Sequence, residues 1–169
     1  LDAALGDFTD HPGLAILGGF QGYGSFDPDP AKAKRIWGGD RFRFVHHVNI
    51  GPYFIRRRHY ELLGGWDYSF SEVGEPGICA DNELCLRAWM NGYQVGYRFV
   101  PFKGPSGHYP ADGGTVLFSN ETRVQNAVRN SDTIFRTYGP YAQQIDRLVE
   151  DANAALRLPT PDGGVAARS

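Results

Sequence analysis

Apolar residues recur at helical spacing over Leu1, Leu5 and Phe8, and Asp10-His11-Pro12-Gly13 breaks that pattern. Leu14 to Phe20 is a short, continuous apolar run, which its length predicts as a buried strand. Gln21 to Lys34 is rich in Gly, Pro and Asp and reads as loop. Weak alternation over Phe42 to Val48 predicts a strand, and Pro52 to Arg56 another. Arg57 to Leu63 suits a short helix closed by Gly64-Gly65. After a loop from Trp66 to Ala80, Leu84, Cys85, Ala88 and Trp89 make a helical stripe over Asp81 to Met90, which Asn91-Gly92 stops. Tyr93 to Val100 reads as strand and Lys103 to Gly114 as loop. Asn120 is placed to cap a helix with Val124, Val128, Phe135 and Tyr138 on one face. A second amphipathic helix follows, with Ile145, Leu148, Val149, Ala152 and Leu156.

Strands and helices alternate, which predicts an α/β fold with a mixed sheet. Residues 1–118 are expected to form the sheet-bearing part, 119–157 amphipathic helices packed on it, and 158–169, rich in Pro, Gly and Ala, a disordered tail. No internal repeat is visible.

With 169 residues, the chain is long enough for one domain with a real core. Its 41% hydrophobic and 21% charged residues are ordinary for a globular protein. A net charge of -2 gives no electrostatic case for nucleic acid. Cys79 and Cys85 are poorly spaced to pair, so two free thiols and a reducing, cytoplasmic setting are expected, in solution or at the cytoplasmic face of a membrane. No apolar run approaches the about 18 residues that a membrane span needs. Leu1 to Leu5 reads as the middle of a helix, so an N-terminal truncation is expected.

The segment from Asn49 to Gly96 carries the chemistry. It reads as a strand, a short helix, a Gly-Gly turn, an aromatic residue beside an acid, a loop, then an acid opening a helix. Asp81 at that helix start sits at the positive end of the macrodipole, near unpaired N–H groups. Both favour the ionised carboxylate, which suits a base that takes a proton from a hydroxyl. Asp is also a favoured helix cap, and the two roles are compatible. Arg56, Arg57 and Arg58 suit a diphosphate, although neighbours at a strand–helix junction point different ways. His46 and His47 face opposite sides of a strand and do not converge on one metal.

The order Arg56-Arg57, Gly64-Gly65-Trp66-Asp67, Asp81-x-Glu83-Leu84-x-x-Arg87 and Gly92-Tyr93-x-Val95 resembles the second half of family-2 glycosyltransferases. The resemblance covers residues 1 to 140 and is specific from Asn49 to Val100. It implies a GT-A fold, the Rossmann-like fold of nucleotide-diphospho-sugar transferases, with the N-terminal donor half missing. It also implies an inverting transferase that moves a sugar from a nucleotide-diphosphate donor to a sugar or glycan hydroxyl, in polysaccharide or glycoconjugate biosynthesis. Asp81 then occupies the position of the catalytic base. Trp66 and Asp67 are implied to line the acceptor pocket, and His108 to be a metal or diphosphate contact. As further substrate-binding residues, Asn49 suits a contact to acceptor or donor, and Glu83 either orients the acceptor or serves as a first-turn helix charge. A divalent cation, Mn or Mg, is implied, bound mostly by a DxD motif that this chain lacks.

Departures from the family pattern sharpen the reading. Ala80 stands where the family usually has Glu. The QxxRW motif of processive synthases is absent, so a non-processive enzyme is expected. Asp27-Pro28-Asp29 has DxD spacing but sits in a proline-bound loop. The second reading is a non-catalytic carbohydrate-binding module or scaffold derived from the same fold; a metal-dependent hydrolase using Asp67, Asp81 and His108 ranks last. A chain lacking the donor half is expected to expose one side of its sheet, so that a homodimer or poor solubility would follow.

Overall fold

The computed structural model describes residues 2–25, 34–39, 41–49, 51–71, 74–101 and 119–157. Helix α1 spans Asp2–Asp10 and leads into strand β1, Leu14–Gly18. All five residues of β1 are buried, and helices α1 and α3 (Ala80–Met90) pack against the strand. It pairs in parallel with β7, Gln94–Tyr97, and antiparallel with β6, Tyr53–Ile55. Strand β4, Arg43–Phe44, adds antiparallel to the far edge of β7, giving the order β4-β7-β1-β6. A second, antiparallel sheet has the order β3-β2-β5, from Arg35–Trp37, Gln21–Tyr23 and His47–Val48. The architecture is therefore mixed α/β, with a mixed sheet flanked by helices.

Two strand expectations change. Gln21 to Tyr23 is a buried strand and not loop. Phe42 to Val48 is not one strand: β4 and β5 belong to different sheets, joined across Val45 and His46. The two sheets meet closely at Gly18, where a Cβ would fall 2.4 Å from Val48 Cβ. Only a residue without a side chain permits that approach.

Helix α2, Arg57–Leu62, ends at Gly64 and Gly65, both left-handed at φ 83° and 75°. Glycine adopts that conformation without steric cost. Helix α3, Ala80–Met90, lies against β1, β5 and β7. Its Leu84, Cys85, Leu86 and Ala88 are fully buried, and Trp89 Nε1 donates to the Val45 carbonyl at 3.0 Å, at the crossing between the sheets.

Helices α4, Asn120–Tyr138, and α5, Ala142–Arg157, share the core with the sheets. Ser119 caps α4, its Oγ accepting from Thr122 N at 3.1 Å, so Asn120 is the first helical residue rather than the cap. The buried stripe of α4 is Asn126, Asn130, Ile134 and Tyr138, at strict i,i+4 spacing. Of the expected face, only Tyr138 is buried; Val124, Val128 and Phe135 are exposed. Asn130 is held inward by loop carbonyls beneath it: its Nδ2 donates to the carbonyls of Phe70 and Ile78, each at 2.7 Å. In α5 the expectation holds better, with Ile145, Val149 and Ala152 buried and Leu156 exposed. Among the described residues no helix is long and apolar enough to cross a membrane.

The candidate site around Asp81

Helix α3 begins in an unusual way. Cys79, which precedes its first residue, is left-handed at φ 68°, and its side chain makes no capping bond. A non-glycine residue there costs on the order of 1–2 kcal/mol. Flanking contacts hold it: Asn130 takes the Ile78 carbonyl, Ser131 Oγ lies 3.8 Å from Cys79 Sγ, and Glu83 N donates to the Cys79 carbonyl at 3.0 Å. The sharp turn sets Asp81 in the first turn of the helix, where its Oδ1 accepts from Asn82 N at 3.0 Å.

The half-buried Asp81 carboxylate acts on two phenols. Burial holds Tyr23 and Tyr53 above the usual phenol range, and the charge of Asp81 adds to both shifts. The phenols therefore stay protonated, and each keeps a proton to donate, wherever Asp81 is ionised. The Tyr53 hydroxyl lies 3.8 Å from Cys85 Sγ, and its ring centroid is 5.8 Å from that of Trp66. Trp66 also packs edge-on to Tyr60 at 6.3 Å, and its backbone N donates to the Tyr60 hydroxyl. On the other side, Gln21 Nε2 and Asn49 Nδ2 both donate to the Tyr23 hydroxyl, at 3.1 and 3.4 Å. His47 stacks on Tyr23 at 4.1 Å. Burial pushes His47 down to about 3, so its imidazole is neutral.

Of the residues singled out from sequence, Trp66 packs against Tyr53 and Asn49 bonds Tyr23, and both phenols lie within electrostatic reach of Asp81. Two others are held differently. Glu83 is buried, with Oε1 accepting from the Tyr138 hydroxyl at 2.6 Å and Oε2 from Arg87 Nη2 at 2.8 Å. An acceptor hydroxyl would have to compete with both bonds. Asp67 is exposed and caps a short 3-10 helix, Tyr68–Phe70, through Ser69 N at 2.9 Å. Its hydrogen bonds to Ser69 hold the carboxyl below the usual range. Arg87 is structural: it ties Glu83 to the Leu63 and Gly65 carbonyls and so fixes the Gly-Gly corner under Trp66.

Of the arginines at the strand–helix junction, Arg56 serves the fold. Arg56 donates to the carbonyls of Phe8 and Leu14, with its guanidinium 5.2 Å from the Phe8 ring centroid. Arg57 pairs with Glu61 at 2.7 Å on the surface. His46 and His47 do face opposite sides, His46 bonding Asp146 of α5 at 2.6 Å. Both cysteines are free thiols, and burial pushes Cys85 up to about 12. His108 and Asp27-Pro28-Asp29 lie outside the described residues. Among the described residues no group of three His, Cys, Asp or Glu side chains is placed to hold a metal ion.

Sequence reasoning missed Gln21, Tyr23 and Tyr53. The first two lay in a stretch whose glycines and prolines masked a three-residue strand. Tyr53 was placed on a strand, but its direction depends on the pairing of β6 with β1. Comparisons with protein-family models, with curated proteins and with solved structures give no match to this chain.

Proposed function

We propose that Asp81 is the base of an inverting, non-processive glycosyltransferase with a GT-A fold, and that this chain carries its acceptor side. The observation that supports it most is the grouping of an ionisable carboxylate at a helix start with two protonated phenols, an amide and an indole. Such a set suits a polyhydroxylated ligand: the carboxylate accepts from a hydroxyl, the phenols donate to ring or hydroxyl oxygens, and the apolar ring of Trp66 packs against C–H groups. In the reaction, Asp81 takes the proton of the attacking acceptor hydroxyl as its oxygen bonds to the anomeric carbon. The bond from that carbon to the donor phosphate breaks, the nucleoside diphosphate leaves with the electron pair, and the centre inverts. The reading assigns the donor and its divalent cation to carboxylates that the described residues do not supply.

The test is product analysis with a panel of nucleotide-diphospho sugars, Mn²⁺ or Mg²⁺ and oligosaccharide acceptors, using the longest natural form of the protein. Transfer with inversion, nearly abolished by Asp81→Asn, is the expected result. Turnover retained in Asp81→Asn would remove Asp81 from the base role. Glycan binding without transfer, needing neither nucleotide nor metal, would point instead to a carbohydrate-binding module.

A further inference from the structure

On the His46 side of the smaller sheet, away from Tyr23 and His47, a cleft of about 850 Å³ opens between α5, the edge strand β4 and the β2–β3 pair. Its volume falls within the roughly 300–1,000 Å³ typical of small-molecule sites. The walls are firmly joined. Asn153 Oδ1 accepts from Phe44 N at 3.0 Å and its Nδ2 donates to Phe44 O at 2.9 Å, so one side chain caps the open edge of β4 as a neighbouring strand would. His46 Nε2 meets Asp146 Oδ1 at 2.6 Å, a second tie between the strand wall and the helix wall.

The charges lining this cleft are unevenly used. Lys34, Arg41 and Arg43 all line it, and among the described residues no carboxylate pairs with any of the three. Three gathered cations repel one another, and they stand out in a chain whose net charge is -2. Arg41 and Arg43 are two residues apart, the spacing that sends side chains to one side of an extended segment. Guanidinium forks match the oxygens of a phosphate, and an ammonium adds a point charge. On the α5 wall, Asp146 is engaged by His46, while Glu150 has no ion-pair partner among the described residues and is free to accept from hydroxyls.

We propose that this cleft binds a phosphate-bearing, hydroxyl-rich small molecule, with its phosphate against Lys34, Arg41 and Arg43 and its hydroxyls toward Glu150. The site is separate from Asp81 and stands whether or not the transferase reading does.

The experiment titrates the folded protein with glucose 6-phosphate and with inorganic phosphate by amide-shift NMR, against NaCl at matched ionic strength. Saturable binding is expected, tighter for glucose 6-phosphate. Arg41→Ala and Arg43→Ala should each weaken it about tenfold, the worth of one charge-assisted bond. Glu150→Gln should narrow the gap between the two probes, and Arg136→Ala, an exposed cation on α4, should change nothing. The unliganded melting temperature of each variant shows that its fold is intact; Arg41, on the surface, is the safer of the two. Shifts reproduced by NaCl alone, wild-type affinity in both arginine variants, equal loss in Arg136→Ala, or glucose 6-phosphate binding no tighter than phosphate would each overturn the proposal.

Discussion

Asn130 of α4 donates from its buried Nδ2 to the Ile78 carbonyl at 2.7 Å, one residue before the left-handed Cys79 and three before Asp81. The same amide nitrogen holds the Phe70 carbonyl. A C-terminal helix therefore fastens both ends of the loop that delivers Asp81. Asn130→Ala leaves two carbonyls without donors and should cost about 1–3 kcal/mol in urea unfolding. Asn130→Asp should cost more at pH 7, because a carboxylate then faces two carbonyl oxygens. Its folded pKa would be raised, so the deficit against wild type should shrink as pH falls through that pKa. A deficit that does not change with pH would refute the clamp geometry.

Arg87 and Glu83 lock the Gly64-Gly65 corner to α3 through a nearly buried ion pair at 2.8 Å. Arg87→Met removes one partner and leaves Glu83 buried beside Tyr138 alone. A loss of about 3 kcal/mol or more is expected by chemical denaturation. Tyr138→Phe, which leaves the ion pair intact, should cost only about 1 kcal/mol.

The orientation of α4 can be checked by two substitutions on the same helix. Ile134→Ala opens a hole in the core and should cost about 2–4 kcal/mol. Val128→Ser, on a surface 66% exposed, should fall within about 0.5 kcal/mol of wild type. A reversed order would restore the face that hydrophobic spacing suggests.

Acid sensitivity should begin well above the carboxylate range. Burial lowers His47 to about 3 and also lowers His46. A histidine whose folded pKa lies below its unfolded value, about 6.5, costs nothing above that value. Stability is then lost progressively as pH falls from about 6.5 toward 3, because the unfolded chain takes the proton first. The His47 share is on the order of 4 kcal/mol at the acid end. Asp67, whose pKa is also lowered, contributes stability that is lost only below about pH 4. Urea midpoints measured from pH 7.5 to 4.5 should therefore fall less steeply in His47→Phe than in wild type.

Much of the α/β order was legible from the sequence because it rests on local physics. Apolar runs, glycine stops and the 3.6-residue stripe located β1, α2, α3, β6 and α5 within a few residues. Strand β2 was not legible, since three residues between glycines carry too little pattern to register. Neither was the division of 42–48 between two sheets, because pairing partners are set by distant chain. Spacing alone also chose the wrong face of α4: Val124, Val128 and Phe135 look inward by hydrophobicity, yet loop carbonyls at Phe70 and Ile78 drew Asn130 to the core.

For the site, the sequence by itself determined Asp81 at a helix start, the Gly-Gly-Trp-Asp corner, and the types of residue near them, since each follows from neighbours in the chain. Only the tertiary structure decided which of them share a space. It set Tyr23 and Tyr53, from two different sheets, within electrostatic reach of Asp81, and turned Glu83 back into a buried network with Tyr138 and Arg87. The reason is that a side chain's direction and partners depend on packing between elements far apart in sequence, and a buried polar group goes to whatever donor or acceptor that packing supplies.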